Sequence, residues 1–266
     1  MKTFIVDSFT KEPFKGNPAA VCLLDKQLED NTMLKIAAEF GFSETAFILK
    51  TNAPLTYSIR FFSPKIEIPL CGHATLASAK VLFSQSDDTQ IHFITSEKLD
   101  LLVNKNGEEI IMEFPVYTTS TETANTLMLE ALGITECLQV SYSEKNKIIM
   151  IEIQNPETLA SLSPDFPLLV TSYSGINGVL VTAQSQKSDY DYHYRYFWPW
   201  AGTNEDPVTG GVQTFLAPYW SEKLHKTKMK AFQSSERTGY MNVEVLKEKV
   251  LISSQAVIIL EGNLLI

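Results

Sequence analysis

The stretch Arg60-Phe-Phe-Ser-Pro-Lys-Ile-Glu-Ile-Pro-Leu-Cys-Gly-His-Ala-Thr75 decides how the chain folds, because it has a counterpart 135 residues further on. Arg195-Tyr-Phe-Trp-Pro199 answers Arg60-Phe-Phe-Ser-Pro64. Each segment leads, after a short loop, into a Gly-bearing turn that opens a helix: Leu70-Cys-Gly-His-Ala-Thr75 in the first half and Val208-Thr-Gly-Gly211 in the second. A five-residue likeness alone could be chance; with matched downstream context it marks an internal duplication.

Around these segments short β-rich runs alternate with a few helical patterns, and the first half reads ββαββαβββ. Strands are expected over 2–9 and 19–24, separated by a loop over 11–18 that Pro and Gly punctuate. A helix follows over 31–40, with Met33, Ile36, Ala37 and Phe40 at helical spacing and Gly41 as its stop. Strands near 45–50 and 55–62 precede an alanine-rich helix over 73–83, then strands near 90–95, 98–104 and 108–114. The second half repeats this order, with strands near 137–142 and 147–153, helical turns over 155–169, and strands near 176–183 and 190–197. A helix opening near Thr209 and strands near 228–233, 241–246 and 249–253 complete it. Pro218 is expected to end or kink that helix after little more than two turns. No low-complexity linker separates the halves, and the Thr- and Ser-rich stretch over 115–123 is the best boundary.

At roughly 150 residues per domain, 266 residues also suggest just under two domains. Lys and Arg total 22 against 31 for Asp and Glu, a net charge of −9, which argues against nucleic acid as a partner. With 44% hydrophobic residues and no run of 18 apolar ones, a globular core without a membrane-spanning helix is expected. The opening segment reaches an acid at Asp7, so no signal peptide is expected. Three widely spaced cysteines, Cys22, Cys71 and Cys137, read as free thiols, and the chain as cytoplasmic.

The chemistry is expected where the two helix-opening turns would face each other across a domain cleft. Free N–H groups and the positive end of each helix attract an anion such as a substrate carboxylate. Gly72, Gly210 and Gly211 would let backbone approach a ligand closely. Asp206 stands before Pro207, so its carboxylate is expected at or just before the helix N-terminus, either as a capping acid or aimed into the cleft. His73 at the other helix start leans toward neutral imidazole and can donate a hydrogen bond to a substrate oxygen. Glu44, among Phe42, Ala46 and Phe47, is the candidate general acid/base, since a carboxyl in apolar company suits that task. No histidine is paired with another at metal-ligand spacing, and no zinc site or other metal is expected. A two-thiol racemase would need a second cysteine in the mirrored turn. Residues 204–211 contain none, so Cys71 reads as a small packing residue. The aromatic run over 190–200 reads as a strand and cleft wall, and no phosphate loop, dinucleotide fingerprint or serine elbow is present.

Taken in order, Val6-Asp-Ser-Phe-Thr10, Gly16-Asn-Pro-Ala-Ala-Val21, Phe42-Ser-Glu-Thr-Ala-Phe47, Pro69-Leu-Cys-Gly-His-Ala-Thr75 and Glu205-Asp-Pro-Val-Thr-Gly210 resemble the PhzF family. These are phenazine-biosynthesis PhzF-like isomerases, relatives of diaminopimelate epimerase, and the likeness extends to Ala256-Val-Ile-Ile-Leu-Glu-Gly262. The resemblance implies an α+β fold of two similar domains, 1–117 and 118–254, each a curved, mostly antiparallel sheet wrapped around a central helix. It places the last strand, 255–266, back on the first domain and the active site in the cleft. It also implies no cofactor, a homodimer, Glu44 shuttling a proton between substrate carbons, and His73 and Asp206 assisting. Gly72, Ala74, Thr209, Gly210 and Gly211 would hold a small carboxylate-bearing substrate.

One departure matters. Where the family usually has a substrate-holding Ser after Val208-Thr-Gly210, this chain has Gly211. A somewhat different ligand from the phenazine precursor is therefore expected. Two other readings stay open: a binding or regulatory protein with little turnover, and an epimerase that inverts a stereocentre with a single carboxylate.

Overall fold

The structure, a computed structural model, describes residues 1–266. It divides into two compact units, the first formed by Met1–Phe114 with Leu251–Ile266 and the second by Pro115–Val250.

The first unit contains β1 (Lys2–Ser8), β2 (Asn17–Leu24), α1 (Asp30–Phe40), β3 (Thr45–Lys50), β4 (Thr56–Phe62), β5 (Glu67–Ile68) and α2 (Gly72–Phe83). Strands β6 (Gln90–Thr95), β7 (Asp100–Asn106) and β8 (Glu109–Pro115) follow, and the chain's last strand, β18 (Ala256–Asn263), pairs antiparallel with β1. Helix α1 ends at Gly41, whose φ of 68° lets its N–H reach back to the Ala37 carbonyl. Helix α2 is the unit's centre. It is buried from His73 to Ala79 and packs on β1, β2, β3 and β18. Ala74, Ala77 and Ala79 allow that close surround, because their small side chains let strands approach the helix on several sides.

The second unit contains β9 (Ser120–Thr121), α3 (Thr126–Leu132), β10 (Gln139–Ser143), β11 (Ile148–Glu152), α4 (Pro156–Ser161) and α5 (Phe166–Ser172). Then come β12 (Gly178–Gln184), β13 (Tyr192–Trp198), β14 (Thr203–Glu205), α6 (Gln213–Leu224), β15 (Lys228–Gln233) and β16 (Gly239–Val245), with β17 (Lys249–Ser254) crossing the boundary at Val250 and Leu251.

The pairing scheme of the first unit recurs in the second. In the first, β1–β2 is antiparallel, β2–β3 parallel, β3–β4 and β4–β5 antiparallel, β4–β6 parallel and β6–β7 antiparallel. In the second, the same sequence of pairings runs through β10–β11, β11–β12, β12–β13, β13–β14, β13–β15 and β15–β16. Arg60 and Arg195 therefore occupy equivalent strands, β4 and β13, and each grips a glutamate on the next short strand through a two-pronged ion pair. Arg60 holds Glu67 at 2.8 and 2.5 Å, and Arg195 holds Glu205 at 2.7 and 2.7 Å. The whole is an α+β fold, a mostly antiparallel sheet with a buried helix in each unit.

Two expectations about the second unit's helix are corrected: where it opens, and that Pro218 would end it. Helix α6 opens at Gln213, not near Thr209, and it runs on through Pro218 to Leu224. Pro218 has no N–H to offer the Thr214 carbonyl four residues back. The Tyr117 N–H supplies that bond instead, at 2.8 Å, so the break does not leave a buried carbonyl orphaned. Helix α3 is not among the expected elements, although Asn125 and Gly133 bound it; it is secured by Asn125, whose side-chain oxygen accepts from the Met128 N–H at 3.0 Å.

Candidate active site

Glu44 is the residue immediately before β3, and His73 lies in the first turn of α2. Both side chains are buried, each residue 7% exposed. The fold brings the Glu44 carboxylate 3.2 Å from His73 Nε2. The other ring nitrogen, Nδ1, lies 3.4 Å from Cys71 Sγ. Cys71 is extended (φ −141°) and sits directly ahead of α2, and its thiol reaches the ring of His73 in the first turn. At the end of β1, the Ser8 hydroxyl donates to the His73 carbonyl at 2.7 Å and fixes the turn.

Burial lowers the His73 pKa, and the Glu44 charge works in the opposite direction. The ring is thus neutral near pH 7, with one N–H and one lone pair to share between Glu44 and Cys71. The direction agrees with the reading from sequence, but its main cause is desolvation rather than the helix end. A neutral imidazole here can pass hydrogen-bond direction along the line Glu44–His73–Cys71. When Glu44 is ionised, Nε2–H donates to it and Nδ1 accepts from the thiol; when Glu44 is protonated, the directions can reverse. Ala74 is buried in the same turn, and Gly72 faces Phe114, whose ring a Cβ there would meet at 3.4 Å. The N–H groups of Gly72, His73 and Ala74 stand in the first turn, where no intrahelical acceptor exists.

Cys71 is consequently more than packing. Its sulfur and the Glu44 and His73 ligand atoms all lie within 4.8 Å of one another, a donor set of the kind that can hold a transition metal. Sequence spacing displays only Cys71 and His73, because Glu44 arrives from 27 residues upstream.

In the second unit Asp206 does not cap α6, which begins seven residues later at Gln213. Asp206 belongs instead to a turn tied down on two sides. Its N–H donates to the Tyr196 carbonyl at 3.1 Å, and its carboxylate accepts the Thr209 hydroxyl proton. Gln233, at the end of β15 and fully buried, clamps the loop with both ends of its amide. Its Nε2 donates to the Asp206 carbonyl at 2.6 Å and its Oε1 accepts from the Thr209 N–H at 2.7 Å. Two residues on, the Ser235 hydroxyl donates to the Pro207 carbonyl at 2.5 Å. The Tyr194 hydroxyl reaches the Thr209 carbonyl at 3.1 Å. Burial chiefly, and the Asp206 charge secondarily, push the Tyr196 phenol pKa up.

Gly210 and Gly211 follow, and their carbonyls accept from the Gln213 and Thr214 N–H groups at 3.0 and 3.4 Å. A Cβ added at Gly211 would meet nothing within 4 Å. The missing hydroxyl at this position is therefore not imposed by crowding.

Sequence reasoning passed over Ser8, Gln233 and Ser235. Ser8 lay inside Val6-Asp-Ser-Phe-Thr10, which served only as a family marker. Gln233 carried a signal, a lone amide at the end of a strand pattern, but nothing in sequence tells which loop it will hold.

The chain is thus two copies of one α+β frame, one carrying a buried Glu–His pair at a helix start and the other a braced carboxylate turn. The model of the PhzC–PhzF family, described as phenazine biosynthesis-like proteins, matches residues 6–262, and the chain belongs to this family. It is 40% identical to an uncharacterized isomerase of Pseudomonas aeruginosa, over 98% of this chain and 97% of that protein. The crystal structure of a PhzF-family protein of Enterococcus faecalis superposes with a TM-score of 0.93 at 35% identity, covering 100% and 99% of the two chains. A hydroxyproline epimerase of Agrobacterium vitis, at 9% identity and a TM-score of 0.58 over 98% and 91% of the chains, shares the fold alone. With its relatives, the chain is an enzyme of the isomerase class.

Proposed function

We propose that the chain is a cofactor-independent isomerase that moves a proton between carbons of a small carboxylate-bearing metabolite, with Glu44 as the group that takes the proton and returns it. The observation that carries this reading is the buried Glu44 carboxylate 3.2 Å from the neutral His73 ring. Ionised Glu44 removes a proton from a carbon next to the substrate carboxylate. The enolate-like charge that develops is met by the N–H groups of Gly72, His73 and Ala74 at the start of α2, fixed donors in a dry environment. His73 adjusts its hydrogen bonds as Glu44 gains the proton, and Cys71 Sγ on the far nitrogen accommodates the change.

Asp206 is assigned to the same substrate as a positioning acid, with Thr209, Gly210 and Gly211 offering backbone groups for a polar substituent. Gly211 in place of a serine hydroxyl favours a ligand other than the phenazine precursor. We place the enzyme in the cytoplasm as a homodimer, as family resemblance implies.

The test is a screen of small unsaturated and α-amino carboxylic acids with the wild-type protein in deuterated water, read by proton NMR. The proposal predicts that at least one compound gains carbon-bound deuterium and converts to an isomer. Compounds that bind and are recovered with no exchange at any carbon would instead identify a binding protein.

A further inference from the structure

Glu44, Cys71 and His73 bring an oxygen, a sulfur and a nitrogen donor to one buried point of the first unit, all within 4.8 Å of one another. A carboxylate beside a neutral ring suffices for proton transfer; the sulfur gives the set a second capacity. Thiolate and imidazole together select a borderline-soft divalent ion, zinc foremost, and discriminate against magnesium and calcium.

The spacing fits a small ion. Zinc bonded at about 2.0–2.3 Å to oxygen, nitrogen and sulfur holds tetrahedral neighbours roughly 3.3–3.6 Å apart. His73 Nε2 and the Glu44 carboxylate already stand 3.2 Å apart. Cys71 Sγ lies 3.9 Å from Nε2, and rotation of the Cys71 side chain closes the remaining gap. The backbone that carries these groups is held from outside the cluster. Ser8 fixes the His73 carbonyl at 2.7 Å, and the Thr75 N–H and hydroxyl fix the Cys71 carbonyl at 3.0 and 2.7 Å. Such outer contacts keep ligand side chains aimed at a common point.

Charge balances as well. A lone divalent ion in a buried place is costly, but the Glu44 carboxylate and a Cys71 thiolate neutralise it. The zinc–sulfur bond forms as the S–H proton leaves to water. The ring keeps its single proton, which passes from Nε2 to Nδ1 and frees the Nε2 lone pair for the ion. Nothing is oxidised or reduced. Three protein ligands leave a fourth position for water or an anion.

We propose that Glu44, Cys71 and His73 form a zinc-binding site, one ion per chain, whose occupancy silences the enzyme. The silencing rests on the reading of Glu44 as proton carrier, because a carboxylate bonded to the ion no longer serves as the base. The site itself does not rest on that reading.

The test titrates the full chain, first stripped with a chelator, with cobalt(II), whose thiolate charge-transfer absorption reports a metal–sulfur bond, and then displaces it with zinc. Saturation at one cobalt per chain with that absorption is expected. Cys71→Ser should abolish the absorption and weaken zinc by at least about 100-fold, since loss of even an outer partner costs about 10–100-fold. Glu44→Gln should keep the absorption and weaken zinc. Cys137→Ser, at the partly exposed thiol, should change neither. No thiolate absorption in wild type, absorption that survives Cys71→Ser or vanishes in Cys137→Ser, or zinc affinity unchanged in Glu44→Gln would each overturn the site. The titration uses no substrate, so a failed exchange screen would sink the isomerase reading and leave the site standing. With an exchanging substrate in hand, undiminished deuterium exchange in the zinc-loaded chain would overturn the silencing.

Discussion

The two units share a frame and differ in what they hang on it. Each has an arginine on its fourth main strand gripping a glutamate on a short neighbouring strand, Arg60 with Glu67 and Arg195 with Glu205. Beyond the fork they diverge. In the first unit α2 starts almost at once, and its opening turn gathers three groups within hydrogen-bonding reach in a line: Glu44, His73 and Cys71. In the second unit seven residues of loop precede α6, and Asp206 is immobilised there by Thr209, Gln233 and the strands on either side. A duplicated scaffold thus carries a buried carboxylate–imidazole–thiol line in one unit and a braced, fixed carboxylate in the other. The difference lies in the loops, as expected when strands and buried helices set positions and connecting segments carry chemistry.

The largest effect that would sharpen this contrast is at the forks. Arg195 is buried, and besides Glu205 it serves the Leu162 carbonyl at 2.7 Å. Arg195→Met leaves a partly buried carboxylate and the Leu162 carbonyl without this partner and should cost about 3 kcal/mol. Arg60 pairs with the half-exposed Glu67 and the exposed Asp30, so Arg60→Met should cost only about 1 kcal/mol. Urea unfolding of the two variants measures the asymmetry; equal costs would show that the forks are energetically alike.

Next in size are the braces. Gln233→Leu strips both clamps from the Asp206 turn and should cost about 2 kcal/mol, while Ser8→Ala removes the one hydrogen bond to the His73 carbonyl and should cost about 1 kcal/mol. Thermal melts of both variants check the ranking. If Gln233→Leu is harmless, the Asp206 turn is held by other contacts.

A smaller effect concerns acid. The folded protein holds His73 and His193 neutral, with pKa values below the ordinary 6.5, so below about pH 6.5 the unfolded chain binds protons that the folded chain refuses. Stability should therefore fall as pH drops from 6.5 toward 5, and the fall should be shallower in His73→Gln. Urea midpoints across that range test it; identical slopes in the two proteins would contradict a His73 held neutral. The smallest expected change is at Gly211. Gly211→Ser finds open space and should shift stability by no more than about 0.5 kcal/mol. A larger loss would mean the glycine is needed structurally.

Much of this was legible in sequence because it rests on local patterns. The Arg60 and Arg195 segments marked equivalent strands, and Gly41 marked the end of α1 through its left-handed backbone. His73 fell in the first turn of α2 because Gly72 and a run of alanines announce that helix. What stayed hidden depends on partners far along the chain. Pro218 promised a helix break, but Tyr117, 101 residues earlier, supplies the missing donor. Asp206 before Pro207 looked like a cap, and only the clamp from Gln233 reveals a braced turn well ahead of α6. Cys71 looked inert because its contact with the far side of the His73 ring exists only once the turn is formed.

The central claim is that proton movement belongs to the first unit's cluster and substrate positioning to the second unit's turn. Deuterium incorporation at the reacting carbon, measured side by side for wild type, Glu44→Gln and Asp206→Asn on a substrate identified by the exchange screen, tests it directly. The account predicts that Glu44→Gln loses exchange by about 10²–10⁴-fold even at saturating substrate. In Asp206→Asn the loss should instead appear mainly as a raised KM. Exchange at the wild-type rate in Glu44→Gln would contradict it.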